Sequence, residues 1–167
     1  DNPSDGDDKW EFRKAGLLQT VKKYGADVIG FQEVLSGQLA EIKKGLKGFE
    51  FVGVGRDDGQ QDGEFAPLFY STKRFSLVEQ GYFWLSENPE VPGKGWDAAC
   101  NRMCCWLLLR DRSTKKQLLF INTHFDHVGK TARTNSEKQV VEFIKAKSAA
   151  YQEKKTTEDG ANLPIVL

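Results

Sequence analysis

Residues 117–127, QLLFINTHFDH, constrain this chain more than any other stretch. The four apolar residues 118–121 read as a strand buried in a core, and Asn122, His124, Asp126 and His127 crowd the six positions after it. Both histidines of the chain lie here. Side chains alternate along a strand, so Asn122, His124 and Asp126 point the same way if the extended conformation persists past Ile121. A second apolar strand, 28–31 within DVIGFQEV, also ends in an amide and a carboxylate, Gln32 and Glu33. Taken singly, such a Gln-Glu pair suits a helix start or a solvated turn, and a histidine after a strand suits a satisfied core imidazole. Together they mark a candidate site, because in α/β proteins sites gather at the carboxyl ends of strands.

The rest of the chain alternates helical and strand patterns. Trp10–Tyr24 carries Phe12, Leu17, Leu18, Val21 and Tyr24 against a Lys/Arg face, the period of an amphipathic helix, and Gly25 stops it. A second helix is expected over 36–46, with Ser36 as its N-cap and Leu39, Ile42 and Leu46 as its buried stripe. From Phe49 the pattern turns to short strands, FEFVGVG, FAPLFYS, SLVEQGYFWLS, NRMCCWLLLRDR and KQLLFINTH, divided by the turn signals DDGQQDGE and NPEVPGKGWD. A helix returns over 135–151 with Val140, Val141, Phe143, Ile144 and Ala150 inward; TTEDGANLP reads as a loop, and PIVL opens one more buried strand.

The 167 residues suit one domain or most of one, and no apolar run approaches the roughly 20 residues that span a bilayer. Lys+Arg and Asp+Glu balance at 24 each, so the basic footprint of a dedicated nucleic-acid binder is missing and a polyanionic substrate has to be held locally. Cys100, Cys104 and Cys105 form neither a disulfide framework nor a four-ligand zinc site and read as structural thiols. Phe83, Trp84, Trp96 and Trp106 suit packing better than base stacking, given that charge balance.

The ordered motifs DVIGFQE, GRDDGQQDGE with PLFYSTKRF, GYFWLS, GWDAACNR, and NTHFDH followed by Arg133 resemble the endonuclease/exonuclease/phosphatase superfamily of metal-dependent phosphoesterases, in particular a bacterial branch with FWLSE and GWDAA. That resemblance, which runs over nearly the whole chain, implies a DNase-I-like four-layer α/β sandwich of two mixed β-sheets flanked by helices. It implies hydrolysis of a phosphodiester or phosphomonoester by a metal-activated water, with Glu33 as a metal-binding carboxylate. Oxygen ligands of this kind favour Mg²⁺ or Mn²⁺. His124 matches the histidine that hydrogen-bonds the scissile phosphate, with Asn122 orienting the site beside it. Arg102 matches the arginine of the phosphate site, whose planar fork of donors fits phosphate oxygens. Tyr70 matches a tyrosine whose hydroxyl reaches a phosphate oxygen, with a core role equally open. Asp126, His127 and Arg133 fall on the substrate side of the motif; for Asp126 and His127, bracing or solvated roles are as open as substrate contacts. Arg56, with Asp58 and Glu64, lies in a Gly-rich loop that shapes substrate choice or is simply mobile.

Three elements of the family pattern have no counterpart here: an opening strand ending in a metal-binding Asn, a Gly-Asp-x-Asn, and a final Asp-His that supplies the base. The expectation is a single domain over 1–167 lacking the N-terminal strand and the C-terminal third, inactive in isolation. The competing reading is a catalytically inactive phosphate- or nucleotide-binding module of the same fold. The substrate class stays open among small-molecule, lipid head-group and nucleic-acid phosphate esters, and localisation and oligomeric state stay open with it.

Overall fold

The computed structural model describes residues 3–154 and 162–167. Most of the expected TTEDGANLP loop therefore lies outside the described residues. Helix α1, Trp10–Tyr24, ends at Gly25, whose left-handed backbone (φ 60°) lets its N–H reach the Val21 and Lys22 carbonyls. Trp10, Leu17, Leu18 and Val21 pack inward, whereas Phe12 and Tyr24, expected on the same stripe, are exposed. Helix α2, Ser36–Gly45, is capped differently from the expectation at Ser36: the N-cap position is Leu35, and Gln38 reaches back to accept its N–H at 2.9 Å. Helix α3, Lys130–Glu153, begins five residues before the expected start.

The strands divide into two sheets. In the first, β1 (Val28–Gly30), β3 (Leu68–Ser71) and β2 (Phe49–Val52) run in the order β1-β3-β2, antiparallel throughout. The second, in the order β4-β5-β6-β7, joins β4 (Phe75–Trp84), β5 (Met103–Asp111) and β6 (Gln117–Thr123) antiparallel and adds β7 (Ile165–Val166) parallel to β6. Of the two sheets only the second is mixed.

Three apolar clusters separate four layers. Leu39, Ile42 and Leu46 of α2 and its flank meet Phe69 and partly buried Ile29 and Phe51 on the outer face of the first sheet. Met103, Cys105, Leu107 and Leu109 of β5 meet Val52, Leu68 and Tyr70 between the sheets. The alternate β5 residues, Cys104, Trp106 and Leu108, meet Leu119, Ile121 and Val140 under α3. Burial on both faces is why β5 reads as an unbroken apolar run instead of an alternation. No helix among the described residues is long and apolar enough to cross a membrane.

At one end of the sandwich the sheets approach closely. A Cβ added at Gly30, the last residue of β1, would sit 2.8 Å from Asn122 Oδ1 and 3.0 Å from its Cγ. Because that amide is held by several bonds, it has little room to yield. Gly30→Ala is expected to destabilise the fold by about 1–3 kcal/mol, read from urea unfolding midpoints. An unchanged midpoint would mean that the sheet ends are not held at this separation.

Candidate active site

The two strand ends singled out in the sequence meet at that close approach. Asn122, on the inter-sheet face of β6, accepts from Gln32 Nε2 at 2.7 Å and donates from Nδ2 to the carbonyls of Phe31 (2.8 Å), Ala66 (3.1 Å) and Pro67 (3.3 Å). Its carboxamide thus takes up the Phe31 and Ala66 carbonyls at the edge of the first sheet and adds a second donor to the Pro67 carbonyl, which already accepts from Phe31 N at 3.0 Å. It orients the site from below and does not face the cleft. Glu33 then turns outward with φ 57°, a left-handed backbone that costs a non-glycine residue about 1–2 kcal/mol. Its side chain stays 67% exposed.

The strand β6 runs two residues past Ile121 and ends at Thr123, so Asp126 lies beyond it and does not share the setting of Asn122 and His124. Asp126 is buried, and both its oxygens are filled. Oδ1 accepts the N–H groups of Gly129 (2.7 Å) and Val128 (3.0 Å); Oδ2 accepts those of Ala99 (3.1 Å) and Cys100 (3.3 Å) and the Arg102 Nε–H (3.3 Å). Burial alone would raise its pKa, but these donors outweigh burial and hold it well below the usual carboxylate range. The GWDAACN motif finds its physical reason in the same place. Asp97 accepts from Ala132 N at 2.7 Å and Thr131 N at 3.3 Å, capping α3 from 35 residues earlier in the chain, because its own N-cap Gly129 has no side chain.

Arg102 is fixed by this network. Its Nε donates to Asp126, and its second terminal nitrogen donates to His127 Nδ1 at 2.9 Å, which leaves the ring proton of His127 on Nε2. The remaining donors border a narrow, open cleft lined by Glu33, Arg56, Glu64, Arg102 and His124 together with Phe65, Ala66 and Met103. One ligand atom each from Glu33, Glu64 and His124 falls within 4.8 Å of the other two. His124 Nδ1 stands 4.0 Å from Glu33 Oε1, too far to hydrogen-bond and about twice a hard-cation ligand distance of ~2.1 Å. Arg56 closes the cleft with NH1 2.6 Å from Glu64 Oε2.

The structure therefore brings together Glu33, His124, Arg102 and Arg56 with Glu64, for which the sequence offers, as for Arg56, only a part in substrate choice or a place in a mobile loop and no part in a metal site. The available signal was its position at the end of GRDDGQQDGE, directly before an apolar run. Tyr70 does not join them. It is buried between the sheets opposite Val28 and Glu50, at the far end of β3, and its hydroxyl donates to Glu50 Oε2 at 2.5 Å. Burial and that bond push its pKa up to about 12. Asp126, His127 and Arg133, expected on the substrate side, brace instead: Arg133 donates to the Asp126 carbonyl at 2.9 Å. The cysteines are free, and burial drives the Cys105 thiol up to about 12, so it packs as a small apolar group. Trp84 is buried and donates from Nε1 to the Arg56 carbonyl at 2.8 Å; Phe83 and Trp106 pack against Phe143.

Asp126→Asn is expected to cost about 3–5 kcal/mol, because it leaves the buried Arg102 guanidinium without its counter-charge. A carboxyl whose folded pKa is depressed stabilises the fold above its unfolded pKa of about 3.9 and loses that contribution as pH falls through the folded value. The gap between wild type and Asp126→Asn should accordingly narrow from pH 7 towards pH 2 in urea titrations. A gap independent of pH would show that the charge of Asp126 is not what matters.

No family model matches the chain. Solved structures do. An endonuclease/exonuclease/phosphatase from Bacteroides vulgatus is similar at 42% identity and a TM-score of 0.85, over 87% of this chain and 56% of that one. A mannosyl-6-phosphatase from Bacteroides thetaiotaomicron VPI-5482 is similar at 41% identity and a TM-score of 0.87, over 98% of this chain and 58% of that one. Among curated proteins, the CCR4-NOT transcription complex subunit 6-like-B of Xenopus laevis is 25% identical over 142 residues, 79% of this chain and 25% of that protein. The chain spans a little over half the length of those two solved relatives and a quarter of the curated one. In fold and in ordered motifs, it belongs to the endonuclease/exonuclease/phosphatase superfamily.

Proposed function

We propose that this chain carries the metal- and phosphate-binding side of a divalent-metal-dependent phosphoesterase acting on a phosphate ester. The observation that carries the reading is the convergence of Glu33, Glu64 and His124 on one point, with two arginines at the same cleft. Two carboxylates with one imidazole suit Mg²⁺ or Mn²⁺, the imidazole favouring Mn²⁺ of the two. Such an ion supplies positive charge to phosphoryl oxygens and acidifies a nearby water.

The chain's own residues do the rest. Arg102, immobilised by Asp126 and His127, presents its free N–H groups to the phosphate without reorganising, which is what makes a fixed donor effective in the transition state. His124, 34% exposed at the cleft, is placed either to complete the ion's ligands or to donate to a phosphoryl oxygen. The left-handed turn at Glu33 and the Asn122 clamp set the backbone from which the carboxylate projects to the cleft. The mannosyl-6-phosphatase among the similar structures supports a sugar phosphomonoester as the substrate class.

The same geometry bears on the base. Asp126 has no oxygen free to take a proton from water, and His127 Nδ1 is occupied by Arg102. Of the described residues lining the cleft, Glu33, Glu64 and His124 are taken up by the cation in this reading and Arg56 and Arg102 are cationic, so it leaves no base among them. Residues 1–167 alone should therefore bind cation and phosphate yet turn over slowly, since orientation of the attacking group can be worth roughly 7–11 kcal/mol of barrier.

The test is hydrolysis of mannose 6-phosphate and of bis-p-nitrophenyl phosphate by the full-length gene product, with Mg²⁺ or Mn²⁺ and with EDTA. Activity should require the metal and favour the monoester. Glu33→Gln should lower kcat/KM by roughly 100-fold or more while shifting stability by no more than about 0.5 kcal/mol, as befits an exposed side chain. Undiminished activity in EDTA would contradict the proposal, and metal binding without turnover in the full-length protein would favour the inactive phosphate-binding module instead.

A further inference from the structure

The contact between Arg56 and Glu64 has the features of an exchangeable pair. Arg56 NH1 is 2.6 Å from Glu64 Oε2, yet a carboxylate oxygen of Glu64 is also within 4.8 Å of ligand atoms of Glu33 and His124. Arg56 Nε is buried with no acceptor, an unmet donor of the kind that costs free energy until it finds a partner. The backbones of both residues are pinned. Arg56 N donates to the Glu64 carbonyl at 3.2 Å, and the Arg56 carbonyl accepts from Trp84 Nε1 at 2.8 Å and Asn101 Nδ2 at 3.3 Å. Only the side chains are left to re-pair.

The geometry points to an exchange in which a divalent cation and Arg56 compete for the Glu64 carboxylate, and the displaced guanidinium passes to the phosphate of the bound ester. This rests on the metal-site reading above and adds a coupling between its two ligands. Without the cation, Arg56 neutralises Glu64. With it, positive charge beside Glu64 repels NH1 of the guanidinium, and a phosphoryl group at the cleft offers acceptors to the idle Nε and to NH2 on the same edge, the two-pronged contact arginine makes best. Arg102 reaches the phosphate only through its remaining terminal N–H groups, since its Nε is held by Asp126 and one terminal nitrogen by His127, so a contact through a free Nε edge falls to Arg56. Coupling of this kind is reciprocal: cation tightens phosphate by the factor by which phosphate tightens cation.

The experiment is calorimetric titration of Mn²⁺ into the chain, with and without sulfate as a non-hydrolysable stand-in for the phosphoryl group. Wild type should bind Mn²⁺ more tightly in sulfate. Arg56→Gln should bind Mn²⁺ alone roughly 5-fold more tightly than wild type, Glu64 being released, and lose most of the sulfate enhancement. Arg56→Lys keeps a charge against Glu64 but has no Nε, so its affinity for Mn²⁺ alone should stay near wild type while the enhancement falls; it also decides the matter if circular dichroism shows Arg56→Gln unfolded. Should Arg56→Gln bind Mn²⁺ no more tightly than wild type and keep the enhancement, the pair is a brace and the exchange is wrong. If wild type binds no Mn²⁺, or Glu33→Gln binds it equally well, the metal site itself fails and the exchange with it.

Discussion

One side-chain amide ties the two halves of the site together. Glu33 follows a strand of the first sheet and His124 follows a strand of the second, and nothing covalent sets their distance. Asn122 does, by taking up the carbonyls of Phe31, Ala66 and Pro67 and the Gln32 amide on four bonds of 2.7 to 3.3 Å. A buried carboxamide matched in this way adds specificity as well as stability, since any other register of the sheets would leave it unpaired. The absence of a side chain at Gly30 is what lets the sheets come this near.

A second polar centre fixes the other side of the cleft. Asp126 gathers four backbone N–H groups and Arg102 on one carboxylate, and Asp97 caps α3 across the same junction. The outcome is a division of labour within NTHFDH. His124 faces the cleft, Asn122 and Asp126 organise the backbone on either side of it, and His127 steadies Arg102. Rigidity is the common product, and it is what a phosphate site of fixed donors needs.

Much of this was legible from residue patterns. Helix α1 has the bounds its period predicts, although Phe12 and Tyr24 of its stripe stay exposed, and the apolar runs of β5 and β6 announced buried strands. Glu33 and His124 were legible because apolar strands point to their own ends. What escaped was decided by contacts between distant residues. A strand apolar on both faces hides its parity, so Tyr70 read equally well as site or core, and the packing of β3 put it in the core. Asp126 looks like its neighbours until the chain passes the end of β6 and its oxygens meet Ala99, Cys100 and Arg102. The start of α3 was missed because its cap comes from Asp97. Glu64 was hidden in a wholly polar loop, whose closure rests on backbone pairing of Gly55 with Gln60, Arg56 with Glu64 and Asp57 with Asp62.

The central claim is that Glu33, Glu64 and His124 form one cation site at the meeting of two strand ends. Its most direct test is anomalous diffraction at the manganese edge from crystals soaked in MnCl₂. The account predicts a peak within about 2.0–2.6 Å of carboxylate oxygens from both Glu33 and Glu64, with the Arg56 guanidinium turned away from Glu64. A peak bound only elsewhere on the surface, or none at this cleft when Mn²⁺ is abundant, would contradict it.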